Sequence, residues 1–202
     1  MRKFALAFAA LASLCGTAMA AEGPLMVRLR GVYIIPADGS KAESGLPKDA
    51  ITVSKKLIPE VDFSYFFTPN ISAELILTYP QEHDVKLSGT KIGTVTHLPP
   101  VLSAQYHFIP GGMINPYVGL GLNLTLITDQ KLAGGALKIS DSSVGVSGQV
   151  GADIKVAEQI YVNVDVKYVT MGYDVKVKAS GAKVTSIDVS PWLLGVGLGY
   201  RF

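Results

Sequence analysis

Few side chains suited to catalysis or metal binding occur in this sequence, and they are far apart. It has three histidines, His83, His97 and His107, and a single cysteine, Cys15. A hydrolase needs a nucleophile beside a base, and a helical zinc site needs two histidines four residues apart. Neither an HExxH nor a GxSxG motif is present. We therefore predict no enzyme, no catalytic residue, no resident metal and no cofactor.

Two weaker patterns have ordinary structural explanations. His83, Asp84 and His97 fall in one predicted external loop, where they could hold a metal loosely, but polar loop residues are the more common explanation. Gly195, Gly197 and Gly199 superficially match a dinucleotide-binding loop, but no helix follows them. Neither pattern predicts a cofactor.

Strict alternation of apolar and polar positions dominates the rest of the chain. Between Val118 and Leu126, valine and leucine occupy every second position, with glycine, asparagine and threonine between them. Similar alternation occurs at 143–156 and 162–168. Residues two apart share one face of a strand, whereas a helix repeats every three to four residues. The pattern predicts an all-β protein.

Eight strands are predicted, at 25–36, 51–67, 71–80, 98–108, 116–128, 143–156, 160–173 and 187–202. Short turns follow the second, fourth and sixth strands, and longer polar loops, at 37–50, 81–97, 129–142 and 174–186, follow the others. Outer-membrane barrels alternate short periplasmic turns with long external loops. The pattern predicts an eight-stranded antiparallel transmembrane β-barrel over residues 21–202.

Aromatic residues distinguish this barrel from a soluble β-sandwich, which would also alternate. They gather at predicted periplasmic strand ends on the apolar face, as Phe63, Tyr65, Phe67, Tyr106, Phe108, Tyr200 and Phe202. Membrane barrels carry such aromatic girdles at their interfaces. An aromatic terminus such as Phe202 also resembles the signal used by the outer-membrane barrel-assembly machinery.

Residues 1–20 have the form of a cleaved export signal. Arg2 and Lys3 precede an apolar run that ends at Cys15, and an A-x-A box at 18–20 completes the pattern. A lipoprotein cut before Cys15 is the alternative, although Leu14 is bulky for that site. Removing the segment leaves sixteen basic and sixteen acidic residues, so the mature chain is neutral. A neutral chain disfavours nucleic acid as a partner.

Several short motifs occur in order along the chain: VRLR at 27–30, YFFTPNI at 65–71, HDVK at 83–86, HLPP at 97–100, QYHF at 105–108, NPYVG at 115–119, PW at 191–192 and GYRF at 199–202. With these motifs the chain resembles the outer membrane protein W (OmpW) family over essentially its whole mature length. The resemblance implies an eight-stranded barrel in the outer membrane of a Gram-negative bacterium. It also implies uptake of small, mainly hydrophobic molecules.

The predicted inward face is charged toward its periplasmic end. Its charged residues are nearly matched in sign: Arg28, Arg30, Glu60, Asp62, Glu74, Asp153, Lys155, Asp165, Lys167 and Arg201. An eight-stranded lumen is just wide enough for side chains to fill it, and an unpaired buried charge is costly. We therefore predict a paired, closed lumen floor rather than a wide aqueous pore.

The outer half of the same face is apolar, unlike a water-filled porin lumen. The predicted substrate-binding residues are Val32, Ile34, Ile58, Ile76, Val101, Val169, Met171 and Leu193. Five inward glycines are expected to leave space there: Gly119, Gly121, Gly195, Gly197 and Gly199. The alternative is ordinary packing of a filled barrel.

Prolines at strand ends suggest how a solute leaves. Pro36, Pro59, Pro80 and Pro191 lie within or beside predicted strands, and proline removes a ladder donor. Either the strands end there, or the wall opens sideways toward lipid.

The sequence thus favours an outer-membrane channel for uptake of small hydrophobic molecules, with an apolar upper lumen and a charged periplasmic floor; lateral release into the membrane is one of its two exit alternatives. The alternative is a structural or receptor barrel whose external loops bind a phage or bacteriocin. Outer-membrane lipid, the barrel-assembly machinery and hydrophobic solutes are the expected partners.

Processing gives the first testable prediction. The exported protein should begin at Ala21 and carry no lipid, because Ala18 and Ala20 complete the cleavage box. Intact-mass measurement of the purified protein checks this. An acylated chain that starts at Cys15 would contradict it.

Overall fold

A computed structural model of the protein describes residues 23–36, 39–40 and 51–202. The predicted export signal lies outside these residues. Within them the chain forms a sheet of fifteen strands and one three-residue 3-10 turn, Ala133–Gly135. In chain order the strands are β1 (Leu25–Ile35), β2 (Gly39–Ser40), β3 (Ile51–Val53), β4 (Lys56–Phe66), β5 (Ile71–Leu77), β6 (Gln81–Leu87), β7 (Thr90–Leu98), β8 (Val101–His107), β9 (Ile114–Leu132), β10 (Leu137–Ile139), β11 (Ser142–Lys155), β12 (Ile160–Val169), β13 (Gly172–Val177), β14 (Lys183–Asp188) and β15 (Trp192–Arg201).

Eight long strands form a closed antiparallel wall in the order β1, β4, β5, β8, β9, β11, β12, β15. The last strand pairs back with the first, from Met26 opposite Arg201 to Ile35 opposite Trp192. Closure leaves no strand edge along the periplasmic part of the wall, which is what a spanning sheet requires in lipid. The predicted all-β, eight-stranded antiparallel barrel is confirmed.

The outward face of the wall is apolar because alternate residues point away from the lumen. Leu120 on β9 and Val144 on β11 are each 77% exposed. Exposed apolar surface on this scale marks a surface that faces membrane lipid rather than water. Aromatic pairs lie at the periplasmic end, with ring centroids 5.2 Å apart for Tyr65 and Phe67 and 4.9 Å apart for Tyr200 and Phe202.

The prediction that long loops occupy the external connections is wrong for most of their length. Strands β6 and β7 fill 81–97 almost entirely, β13 and β14 occupy much of 174–186, and β9 continues to Leu132. Most of the predicted loop at 37–50 lies outside the described residues. Alternation continues in β6, but polar residues obscure it: His83 and Val85 point inward, whereas Glu82 and Lys86 point outward.

Strand ends in the wall also differ from prediction. The strands predicted at 71–80 and 98–108 are shortened to Ile71–Leu77 and Val101–His107, because Pro80 and the pair Pro99 and Pro100 interrupt their ladders. The strand predicted at 51–67 is divided after Val53. These interruptions separate the wall from the external strands.

The external strands extend the same sheet above the wall, in the order β3, β6, β7, β9, β10, β13, β14, β2, and we call this part the external sheet. Their inward side chains build an apolar cluster with neighbouring residues of the wall: Val85, Val95, Leu132, Ile139, Val169, Met171, Tyr173, Val175 and Ile187. The external part of the barrel is therefore a folded continuation of the wall. In the described part of the chain, no helix has the length and apolar character needed to span a bilayer.

Removal of Phe202 tests how the last strand is secured. Its backbone N–H donates to the Leu25 carbonyl at 2.9 Å, and its ring contacts Tyr200. Deleting Phe202 should lower the fraction of folded barrel in the membrane, because β15 loses a tie to β1. Gel mobility before and after boiling measures that fraction. Phe67→Ala is the matched control, since Phe67 is an exposed ring at the same end; equal folded fractions in both variants would contradict the prediction.

Candidate functional site

Two arginines on β1 lie at the centre of the lower lumen, and both are buried. The Arg28 guanidinium binds Asp153 on β11 through two donors, at 2.9 and 2.7 Å, and its Nη1 lies 2.9 Å from Asp62 Oδ1 on β4. A bidentate arginine–carboxylate pair fixes both the distance and the orientation of its partners. Arg28 therefore ties together strands from opposite sides of the lumen.

Arg30 holds a second set of carboxylates one layer above. Its Nη2 lies 2.8 Å from Glu60, 3.0 Å from Asp62 and 3.3 Å from Glu74. Asp62 thus bridges both arginines. On β12, Lys167 Nζ lies 3.8 Å from Asp165 Oδ1.

Neutral donors complete the network, because the buried carboxylates within it outnumber the buried cations. The Tyr117 hydroxyl donates to Asp165 at 2.9 Å, Gln149 donates to Glu74 at 2.9 Å, and Asn163 donates to Asp153 at 2.9 Å. A buried polar group is tolerated when its hydrogen bonds are made. Tyr117 was not identified from the sequence as a floor residue, although it shares the inward parity of Gly119.

Eight of the ten predicted floor residues meet in this network, which we call the floor: Arg28, Arg30, Glu60, Asp62, Glu74, Asp153, Asp165 and Lys167. The other two, Lys155 and Arg201, are half-buried. Arg201 donates to the Gly23 carbonyl at 3.0 Å, and its guanidinium lies 3.9 Å from the Phe66 ring centroid. Arg201 thus belongs to the periplasmic rim.

The expectation that inward glycines leave space for a pocket is wrong for most of them. A Cβ on Gly119 would lie 2.8 Å from the Gln149 side chain, and one on Gly199 would lie 2.7 Å from Met26. A Cβ on Gly197 would lie 2.7 Å from the Arg30 backbone. These glycines make room for the large side chains that fill the lower lumen.

Above the floor the lumen opens into an apolar cavity of about 890 Å³, a volume that includes its open mouth. The structure places all eight predicted substrate-binding residues on its lining: Val32, Ile34, Ile58, Ile76, Val101, Val169, Met171 and Leu193. Side chains from the external sheet, including Val85, Val95, Ile139 and Ile187, continue the lining upward. We call this cavity the chamber. A concave, mainly apolar lining with a few polar groups is typical of sites that bind small molecules.

The sequence predicts that His83 and His97 are polar loop residues, and the structure corrects this prediction. They lie on β6 and β7, line the chamber, and stack with ring centroids 5.0 Å apart and planes at 17°. Burial lowers the pKa of His83; burial, with nearby His83 and Lys56, lowers the pKa of His97 to about 3. Both rings are therefore neutral at physiological pH. The described residues contain no cluster of three or more metal-ligating side chains.

The wall is interrupted beside the chamber, between β4 and the end of β5. Their pairing stops at Val61 opposite Leu77, and beyond this point the chain pairs β6 with β3 instead. In the described pairings, β4 from Lys56 to Glu60 therefore has a strand partner only on its β1 side. Pro59 and Pro80 flank this gap. At Pro191 the wall is continuous, because its carbonyl accepts from Val169 N–H at 3.1 Å.

The geometry of this barrel has counterparts among known proteins. The model of the OmpW family matches residues 21–202. The chain belongs to the OmpW family. Members of this family are outer-membrane proteins, so this OmpW-family barrel lies in the outer membrane, in contact with its lipid.

Two relatives and one solved structure illustrate the match. An uncharacterized outer-membrane protein, y4mB of Sinorhizobium fredii, is 39% identical over 89% of this chain and 80% of its own length. Outer membrane protein W of Escherichia coli is 33% identical over the full length of both chains. The crystal structure of OprG from Pseudomonas aeruginosa matches with a TM-score of 0.77 at 27% identity, covering 89% of this OmpW-family chain and 96% of OprG.

Asp62 tests whether the floor stabilises the barrel. Asp62→Ala removes the carboxylate shared by both arginines and leaves buried cations with less countercharge. The free energy of unfolding should fall by about 3 kcal/mol, the usual cost of breaking a buried ion pair. Urea unfolding in detergent micelles measures the change.

The matched control is Asp84→Ala, which removes the surface ion pair with Lys91 at 2.6 Å. Exposed pairs are screened by water and contribute little, so this variant should unfold close to the parent. Equal losses in the two variants would contradict a stabilising role for the floor.

Proposed function

We propose that this protein is an outer-membrane channel for the uptake of small hydrophobic molecules. One observation carries the proposal: an apolar chamber lies directly above a charged floor within one lumen. The family resemblance noted from the sequence points the same way. The mechanism needs no catalytic residue.

Entry into the chamber is driven by the transfer of the solute's apolar surface out of water. Removing apolar surface from water gains about 25 cal/mol per Å², so a solute that buries about 150 Å² gains about 4 kcal/mol. The walls meet the solute with valine, isoleucine and leucine side chains. The chamber therefore concentrates hydrophobic molecules at the cell surface.

The floor opposes direct passage to the periplasm. A solute moving down the axis would have to separate Arg30 from Glu60 and Asp62, at 2.8 and 3.0 Å. Separating buried charges without a new partner costs several kcal/mol. An apolar molecule offers no such partner, so the axial route is disfavoured.

The gap beside Pro59 offers a lateral route. Ile58, Ile76 and Thr78 line the chamber at the gap. On the lipid side, the exposed residues next to the gap are Leu57 on β4 and Leu77 and Tyr79 across from it. The chamber and the lipid-facing surface are both largely apolar beside the gap, which supports release of the solute into the membrane.

Charges placed in the chamber test the mechanism. Ile76→Lys and Leu193→Asp should each lower uptake of a hydrophobic probe at least severalfold. An apolar solute in the chamber would remove water from the new charge without offering it a hydrogen bond, which is costly. Folding should survive, since Ile76 lies opposite Asp62 and Leu193 lies opposite Lys167 in the sheet. The measurement is the initial rate of probe uptake by intact cells, whose lipopolysaccharide leaflet resists such solutes.

Ile76→Leu and Leu193→Ile are the matched controls, because they keep the wall apolar and of similar volume. Gel mobility before and after boiling verifies that each variant is folded. If the folded charged variants transport the probe at the parent rate, the channel mechanism is wrong. The barrel would then be better described as a structural protein or as a receptor for phage or bacteriocin.

A further inference from the structure

The stacked pair His83 and His97 places hydrogen-bonding groups on an otherwise largely apolar chamber wall. His83 is 2% exposed, and its Nε2 atom is buried with no hydrogen-bond partner in the described structure. His97 is less buried, and its ring stacks on that of His83. Buried polar atoms are normally satisfied, so an unpaired imidazole on a cavity wall indicates a place for a ligand.

The tautomer of His83 is determined by its backbone contact. Nδ1 lies 3.0 Å from the carbonyl oxygen of Ser54, and a carbonyl oxygen only accepts hydrogen bonds. Nδ1 therefore carries the proton and donates it to Ser54. In the neutral ring this leaves Nε2 as an acceptor, so its complement is a hydrogen-bond donor.

His97 adds one hydrogen-bond donor and one acceptor to the pair. A neutral imidazole has one N–H donor and one acceptor nitrogen. Together the two rings present two acceptors and one donor, without a net charge. A hydroxyl group can both donate and accept a hydrogen bond. It therefore matches this set better than an ether, a ketone or an ion does.

We propose that the His83–His97 pair is a polar subsite that binds the OH group of an otherwise hydrophobic solute, either an alcohol or a protonated carboxylic acid. The subsite rests on the proposed uptake function and defines its substrate class. The apolar part of the solute contacts chamber residues such as Val85, Val95 and Ile58, which line the same cavity. Pure hydrocarbons enter the chamber but lack this additional bond.

Two isomers test the subsite: 1-decanol, which donates a hydrogen bond, and nonyl methyl ether, which does not. Apparent dissociation constants are measured for both with the complete barrel in lipid nanodiscs. The preference is the dissociation constant of the ether divided by that of the alcohol. This ratio should be about fivefold larger in the parent than in His97→Phe, which is the effect of one net hydrogen bond. Partitioning into lipid is the same for both proteins and cancels in this ratio.

Phenylalanine keeps a flat ring that can stack on His83, so the variant removes hydrogen bonding rather than packing. Glu82→Gln is the control, because Glu82 is on β6 but points away from the lumen, and it should keep the parent ratio. Histidine-selective ¹⁵N labelling gives a second measurement that needs no variant. The alcohol should shift the ring nitrogens of His83 and His97, and His107, buried in the lower lumen, should not respond.

The outcomes separate the subsite from the channel. If both isomers bind the parent but the preference is the same in His97→Phe, the subsite is wrong and the chamber binds by apolar contact alone. If the alcohol leaves the His83 and His97 signals unchanged, the subsite is also wrong, and a hydroxyl such as that of Tyr173 accounts for any preference. If neither isomer binds the parent, the proposed uptake function fails together with the subsite.

Discussion

The burial of Arg28 and Arg30 in the lower lumen is the constraint on which the rest of this structure depends. A guanidinium that leaves water requires carboxylates at hydrogen-bonding distance, and here these come from β4, β5, β11 and β12. The ion pairs therefore fix how strands from opposite sides of the barrel face each other. Glycines on the inward face, such as Gly199 beside Met26 and Arg28, follow from the same constraint, because the large side chains need the room.

A filled floor determines what the upper lumen can do. Charged side chains occupy the lower half of the lumen, and the chamber lies above Glu60 and Lys167. The chamber is lined by branched apolar side chains, which contact the hydrophobic solute in the proposed uptake mechanism. In the proposed uptake mechanism, the separation of charge below and apolar surface above gives transport its direction, because a solute enters from outside and is opposed at the floor.

Residue parity explains why much of this arrangement was predictable from sequence. In β1, a period of two assigns Arg28, Arg30, Val32 and Ile34 to one face, and their order along the strand separates floor from chamber. Parity does not show which side chains reach across the lumen to a given position, however. The inward glycines were therefore expected to leave space in the upper lumen, whereas most of them lie against side chains or backbone in the lower lumen. The external strands were missed because polar residues such as His83 point inward there, which conceals the apolar period. The sharing of Asp62 by two arginines depends on rotamers, which no sequence pattern reports.

The position of the wall gap follows from the energetics of backbone groups in lipid. An unpaired N–H or C=O in the hydrocarbon region costs several kcal/mol, so a spanning wall must keep its ladder complete there. Pro59 has no N–H to leave unpaired, and the open stretch of β4 lies at its outer end, near exposed Tyr79. Tyrosine is typical of the membrane interface, where headgroups and water satisfy backbone groups. A break at this level is tolerated. Its inner limit is Glu60, which lies opposite Arg30 on β1, and the ladder between β4 and β5 resumes at Val61. In the proposed mechanism the exit is therefore at the outer end of the wall.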